Sequence, residues 1–142
     1  MSIFIDAGIY IAYVNEKDKL HSEASDLIDG IMENKHGAAF TSNAVFDEVV
    51  TFLLYKTGDV RNASRARDLI LGDKEKGMPQ FMNLLFVDKE VLNKGWNIFV
   101  KYANKKLSFT DCTTIELMNS RDIEHLASFD GGFDGIVARI IE

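Results

Sequence analysis

The apolar positions of this chain fall into short runs and longer stretches with helical spacing, separated by Gly, Asp and Asn. "SIFID" is rich in β-branched and aromatic side chains and predicts a strand ending on Asp6. "AGIYIAYVN" predicts a short apolar helix. "HSEASDLIDGIMENK" carries its apolar residues at helical spacing, with Gly37 as a stop. "AAFTS" predicts a second strand, after which Thr41 or Ser42 caps a strongly apolar helix, "NAVFDEVVTFLLYKT", ended by Gly58. "DVRNASRARDLILG" starts another helix with Asp59 at its cap. "QFMNLLFVD" predicts a strand and "KEVLNKGWNIFVKYANKK" an amphipathic helix. A further helix begins at about Thr110. It is followed by the strand "HLASF", a glycine turn and a last strand, "GIVARII".

Strands alternating with helices predict an α/β fold, an open parallel sheet covered by helices on both faces. The 142 residues make one domain, 1–142, and with a single proline, Pro79, and no low-complexity tract the chain shows no linker. Its N-terminal apolar run lacks a basic leader and reads as the first structural element. No stretch has the length to span a bilayer, so no membrane partner is expected. One cysteine, Cys112, excludes an internal disulfide framework and suits a cytoplasmic setting. The net charge of −6 argues against a protein that coats nucleic acid by neutralising phosphates. It leaves room for an enzyme whose carboxylates collect a divalent cation, because the ion inverts the local charge.

In such folds ligands bind beyond the carboxyl ends of the strands, and four acids are predicted at that edge. Asp6 closes the first strand, Asp130 follows a later one, Asp111 opens a helix, and Glu48 lies early in the helix after the second strand. Three of them also have a purely local reading. Asp6 would cap the helix starting at Ala7, Asp111 suits a first helical turn, and Asp130 before Gly131 and Gly132 is a normal turn residue. Glu48 is harder to explain locally, since Ala44, Val45, Val49 and Phe52 surround it at helical spacing. Carboxylates gathered on one edge repel unless a cation or proton intervenes. An oxygen-only set suits Mg²⁺ or Mn²⁺ rather than zinc, and the implied chemistry is phosphodiester hydrolysis.

"IFIDAG", "TSNAVFDEVV", "SFTDC" and "ASFDGGF", in that order, resemble the PIN domain, a family of metal-dependent ribonucleases that includes the VapC-type toxins of toxin–antitoxin pairs. "LHSEA", around His21, is similar to the family's first long helix, and the resemblance covers nearly the whole chain. It implies a three-layer α/β/α fold with a central parallel sheet. It also implies that Asp6, Glu48, Asp111 and Asp130 form the catalytic, metal-binding set, with Thr110 as a supporting polar neighbour. The implied cofactor is Mg²⁺ or Mn²⁺, the substrate RNA, and the partner a small antitoxin. Register with the motif selects Glu48 over Asp47, which is expected to face solvent or cap locally; Asp134, just past the turn and within reach of the site, is expected to have a turn role.

Lys101, Lys105 and Lys106 run up to "LSFTD", where a substrate's phosphate backbone would pass, although solvated surface is their default reading. Arg61, Arg65 and Arg67 read as solvated surface. His21 reads as structural, Cys112 as a small packing residue, and Trp96, Phe99 and Tyr102 as core or interface. The apolar third and fourth helices suit a homodimer or a partner helix. Two other readings of the same resemblance stand beside the toxin: an RNA-maturation nuclease without an antitoxin, and a non-catalytic PIN-like scaffold. A phosphoacceptor receiver domain fits poorly, because Asp6 has no neighbouring acid and no lysine follows Phe133.

Overall fold

The computed structural model describes residues 1–141. Among them are five strands, β1 (Ser2–Ile5), β2 (Ala38–Ser42), β3 (Met82–Leu85), β4 (His125–Ala127) and β5 (Ala138–Ile140). Six α-helices accompany them: α1 (Ala7–Val14), α2 (His21–Met32), α3 (Asn43–Thr57), α4 (Val60–Leu71), α5 (Lys89–Lys101) and α6 (Phe109–Arg121). The strands form one parallel sheet in the order β3-β2-β1-β4-β5.

That order positions everything else. The chain steps outward from β1 to β2 to β3, then returns across the sheet to β4 on the other side of β1. Right-handed crossovers therefore put α1 to α4 on one face and α5 with α6 on the other. The helix packing agrees: α1 lies against α2, α3 and α4, while α5 lies against α6. The three-layer α/β/α fold expected from the sequence is the fold observed. Strand order reverses between β1 and β4, so the crevice for a ligand opens at their carboxyl ends.

Local chemistry explains the elements. β1 is central and covered on both faces, and its Ile3, Phe4 and Ile5 are all buried. α1 is apolar nearly all round because three helices enclose it, with Ile9 and Tyr10 fully buried. Ser42, not Thr41, caps α3, accepting from the Val45 N–H at 3.1 Å. Thr41 instead donates to the Ile5 carbonyl at 3.4 Å. Gly58 ends α3 in the left-handed conformation, φ 66°.

Several boundaries differ from expectation. The amphipathic helix stops at Lys101, and a 3-10 turn over Ala103–Lys105 follows. Lys106, at φ 57°, then reverses the chain. As a result α6 runs back antiparallel along α5, with Phe99 against Phe109 and Gly95 against Thr113. α6 starts at Phe109, one residue early, because Ser108 is its cap. β3 is shorter than its apolar run, and Phe81 and Phe86 on either side of it are exposed. Trp96 is 55% exposed, so it is a surface residue and not part of the core.

Candidate active site and metal centre

Asp6 is the residue through which β1 becomes α1. Its N–H extends the sheet by donating to the Ala127 carbonyl at 3.0 Å. Its Oδ1 caps α1 by accepting from the Ala7 N–H at 2.9 Å, and its Oδ2 accepts from the Ser128 hydroxyl at 2.7 Å. The carboxyl is buried, 7% exposed. Burial pushes its pKa from 3.8 up to about 6, opposed by the Ser128 and Ala7 hydrogen bonds and reinforced by Asp111 and Asp130.

Asp130 stands across the crevice, in the turn that follows β4. Its N–H donates to Ser128 Oγ at 3.0 Å, and its Oδ1 accepts from the Gly132 N–H at 2.8 Å. Gly132 lets the turn pack closely, since a Cβ would come within 3.1 Å of both Asp130 Oδ1 and Leu107. Asp111 is the third residue of α6 and completes a capping box. It donates from its N–H to Ser108 Oγ at 3.0 Å and accepts from the Ser108 N–H at 2.9 Å through Oδ2. Burial raises its pKa, and so does the negative charge of Asp130.

Glu48 lies in the second turn of α3. Its apolar neighbours Val45 and Val49 turn to the core, whereas Glu48 itself keeps a solvent-exposed flank. This corrects the picture of a glutamate pressed against apolar surface. Desolvation on its inner side raises its pKa to about 6, with further push from Asp6, Asp111 and Asp47. Asp47 is exposed and accepts from Thr51 Oγ1 at 3.4 Å, the local role expected for it.

At this edge of the sheet Asp6 thus feels the charges of Asp111 and Asp130, Glu48 those of Asp6 and Asp111, and Asp111 that of Asp130. Among the described residues none of them is in an ion pair. Nor, among those residues, do three or more His, Cys, Asp or Glu side chains converge tightly enough to hold an ion as they stand. The donor set nonetheless fits a hard divalent cation: all its ligand atoms are oxygens, they are anionic and unpaired, and they repel one another.

Thr110 lies in the same first turn of α6, where its carbonyl accepts from Thr113 Oγ1 at 2.7 Å. Of the three lysines, Lys101 and Lys106 are exposed, and Lys101 sits 5.2 Å over the Tyr102 ring. Lys105 is already engaged, donating to the Asp134 carbonyl at 2.7 Å. Sequence reasoning gave Ser128 no role, although its place two residues before Asp130 in "SFDGGF" was visible. It also missed Thr114, whose buried hydroxyl has no hydrogen-bond partner among the described residues, and the fully buried Tyr10; they lie one helical turn beyond Asp111 and Asp6. A groove of about 810 Å³ opens elsewhere, beside Lys17, Lys56 and Arg65, and none of the four acids lines it.

The PIN domain family model matches residues 3–138. The chain belongs to the PIN domain family. Similar PIN proteins include a VapC ribonuclease of Archaeoglobus fulgidus, 28% identical over 134 residues that span 94% of this chain and 80% of that protein. Another is the 23S rRNA-specific endonuclease VapC20 of Mycobacterium tuberculosis, 27% identical over 131 residues, 92% of this chain and 91% of the relative. The crystal structure of that VapC20, a Sarcin-Ricin loop cleaving toxin, matches with a TM-score of 0.79 at 26% identity, covering 95% of this chain and 96% of the other. VapBC2 from Rickettsia felis, bound to a DNA fragment from its promoter, matches with a TM-score of 0.69 at 11% identity, over 99% and 98%. That last likeness is one of fold.

Proposed function

We propose that this PIN domain is a Mg²⁺- or Mn²⁺-dependent endoribonuclease that hydrolyses RNA phosphodiester bonds, and that it is the toxin of a toxin–antitoxin pair acting in the cytoplasm. The observation that carries the reading is the unpaired set Asp6, Glu48, Asp111 and Asp130 at the crevice where strand order reverses. The names of the similar VapC proteins point the same way. A scaffold without catalysis would have no need to keep four mutually repelling acids together.

The four carboxylates would hold the cation. When bound, the ion orients and acidifies a water and offsets charge on the phosphoryl oxygens. The chain's own residues do the positioning. Ser128 fixes the Asp6 carboxylate, Ser108 fixes Asp111, and the Gly132 N–H fixes Asp130. Glu48 is exposed to solvent water, and a carboxyl whose pKa is raised to about 6 is suited to accept a proton in neutral solution. Lys101 and Lys106, exposed beside the start of α6, take the phosphate backbone of the substrate.

Two apolar surfaces remain for protein partners, one from Phe52 and Tyr55 on α3 with Val60 on α4, the other from Leu92, Trp96 and Val100 on α5. They serve a homodimer and an antitoxin. None of the helices in the described residues is long and apolar enough to cross a membrane.

Cleavage of a labelled single-stranded RNA tests the reading, run with Mn²⁺, with Mg²⁺ and with EDTA. The reading expects metal-dependent cutting that an Asp6→Asn protein purified in parallel lacks. Cutting that survives EDTA or Asp6→Asn contradicts it. A short open reading frame beside the gene, whose product co-purifies and suppresses cutting, supports the toxin setting. Its absence favours RNA maturation.

A further inference from the structure

We propose that Lys105, Asp134 and Arg139 form a strap that holds the turn carrying Asp130 against the segment leading into Asp111. The inference rests on the carboxylate reading above and assigns to three residues outside that set the task of positioning it.

Asp111 and Asp130 come from separate segments, the stretch 105–108 entering α6 and the turn 128–135 leaving β4. Their charges repel. No strand ladder joins the two segments, yet two contacts do. Lys105 Nζ donates to the Asp134 carbonyl at 2.7 Å, and the buried Leu107 packs on Gly132 so closely that a Cβ there would come within 3.1 Å of its side chain. Arg139, on β5, closes the turn from behind. Its Nε and Nη2 grip the Asp134 carboxylate at 2.8 and 3.0 Å, while Nη1 donates to the Ser128 carbonyl at 3.0 Å. One guanidinium thus spans both ends of the turn that carries Asp130. Its side chain is only 20% exposed, against 60% for Asp134.

The arrangement solves an electrostatic conflict. A lysine or arginine paired directly with Asp111 or Asp130 would steady it but would occupy the oxygens a metal needs. Here the cations pair with Asp134 and the backbone instead. The charge of Arg139 still reaches the site, since Asp130 helps raise the pKa of Arg139. The bidentate fork adds geometric definition that a point charge would not. Lys105, expected from the sequence to touch RNA, acts here as one end of the strap.

The test uses the full chain with Lys105→Met, Arg139→Gln and Arg139→Lys. Two quantities are read: hydrogen exchange of the 128–135 amides in metal-free protein, and Mn²⁺ affinity by calorimetry. Faster exchange confined to that turn, with Mn²⁺ affinity about tenfold weaker, is the expected result. Exchange in β1 and α1 should stay as in the wild type. Arg139→Lys keeps the charge and loses the fork, so it should recover only part of the affinity. Full recovery by Arg139→Lys overturns the strap in favour of a simple field effect. Exchange and affinity both within about twofold of wild type also overturn it. If the wild type binds no Mn²⁺, the carboxylate reading has failed, and unchanged exchange in the turn then overturns the strap independently. Lys105 is exposed and contributes one hydrogen bond, so Lys105→Met leaves a folded protein to measure even if Arg139→Gln does not.

Discussion

The Ser128 hydroxyl donates to Asp6 Oδ2 across 2.7 Å, joining residues 122 positions apart. The same oxygen accepts from the Asp130 N–H at 3.0 Å. One fully buried Ser128 hydroxyl therefore ties the Asp6 carboxylate to the backbone of Asp130 just past the ends of β1 and β4, at the point where the sheet reverses its order.

Removing that hydroxyl should be costly. Ser128→Ala leaves a buried carboxylate short of a donor, so urea unfolding at neutral pH should show a loss of about 1–3 kcal/mol. Mn²⁺ affinity should drop by about tenfold as Asp6 loses its orientation. A Ser128→Ala protein as stable as wild type and binding Mn²⁺ equally well would show that the bond has no such role.

The raised Asp6 pKa makes stability depend on pH in a stated direction. Asp6 rises from 3.8 to about 6, so the folded chain takes up its proton before the unfolded chain does. Metal-free protein should gain stability as pH falls from about 6 toward 4, and above 6 the penalty for the buried charge is fully present. Its size is roughly 3 kcal/mol. Exposed Glu48 adds less, because solvent screens it. Asp59, Asp68 and Asp134, all with lowered pKa values, lose their contributions only below that window. Asp6→Asn should be more stable than wild type at pH 7.5 without metal and should flatten the pH profile, as thermal unfolding at the two pH values will show. A profile unchanged by Asp6→Asn would contradict the assignment.

The caps separate structural from functional roles. Ser108→Ala and Asp88→Ala each remove a helix cap and should each cost about 1 kcal/mol. Only Ser108→Ala frees Asp111, so only it should weaken Mn²⁺ binding. Equal metal affinities in the two variants would count against the capping box as part of the site.

Much of this was legible in the chain because the acids double as punctuation. Asp6 and Asp111 occupy helix starts and Asp130 a glycine turn, so the local readings hold for the same residues to which the site is proposed to belong. A cap position also aims a carboxylate at the sheet edge where ligands bind, which is why punctuation could be read as chemistry. Period and turn signals likewise gave the order of elements. What stayed hidden depended on contacts distant in sequence. The Ser128–Asp6 bond and the Lys105–Asp134 bond carry no periodic signal, and a serine or lysine in a loop reads as ordinary surface. The end of α5 was missed for a related reason: "KYANKK" has good helix formers, and only the reversal at Lys106 that packs α6 back on α5 breaks it. Glu48 was placed at this edge by its position early in the helix after the second strand, whereas the argument from its apolar neighbours is not supported by its exposed flank.

The exposed apolar residues on α3 and α5 give a hydrodynamic expectation. Purified without a partner, the chain should sediment as a dimer, and Tyr55→Glu or Trp96→Glu should shift it toward monomer. A wild-type monomer at micromolar concentration would leave both surfaces to the proposed antitoxin.

The most direct test of the carboxylate site is anomalous diffraction from crystals grown with Mn²⁺. A peak at the carboxyl edge of β1 and β4, coordinated by oxygens of Asp6, Asp111, Asp130 or Glu48 directly or through water, is the expected result. Its loss in Asp6→Asn crystals would tie it to the buried acid. No peak at that edge, or manganese bound only elsewhere on the protein, would mean that the four acids are caps and turns alone.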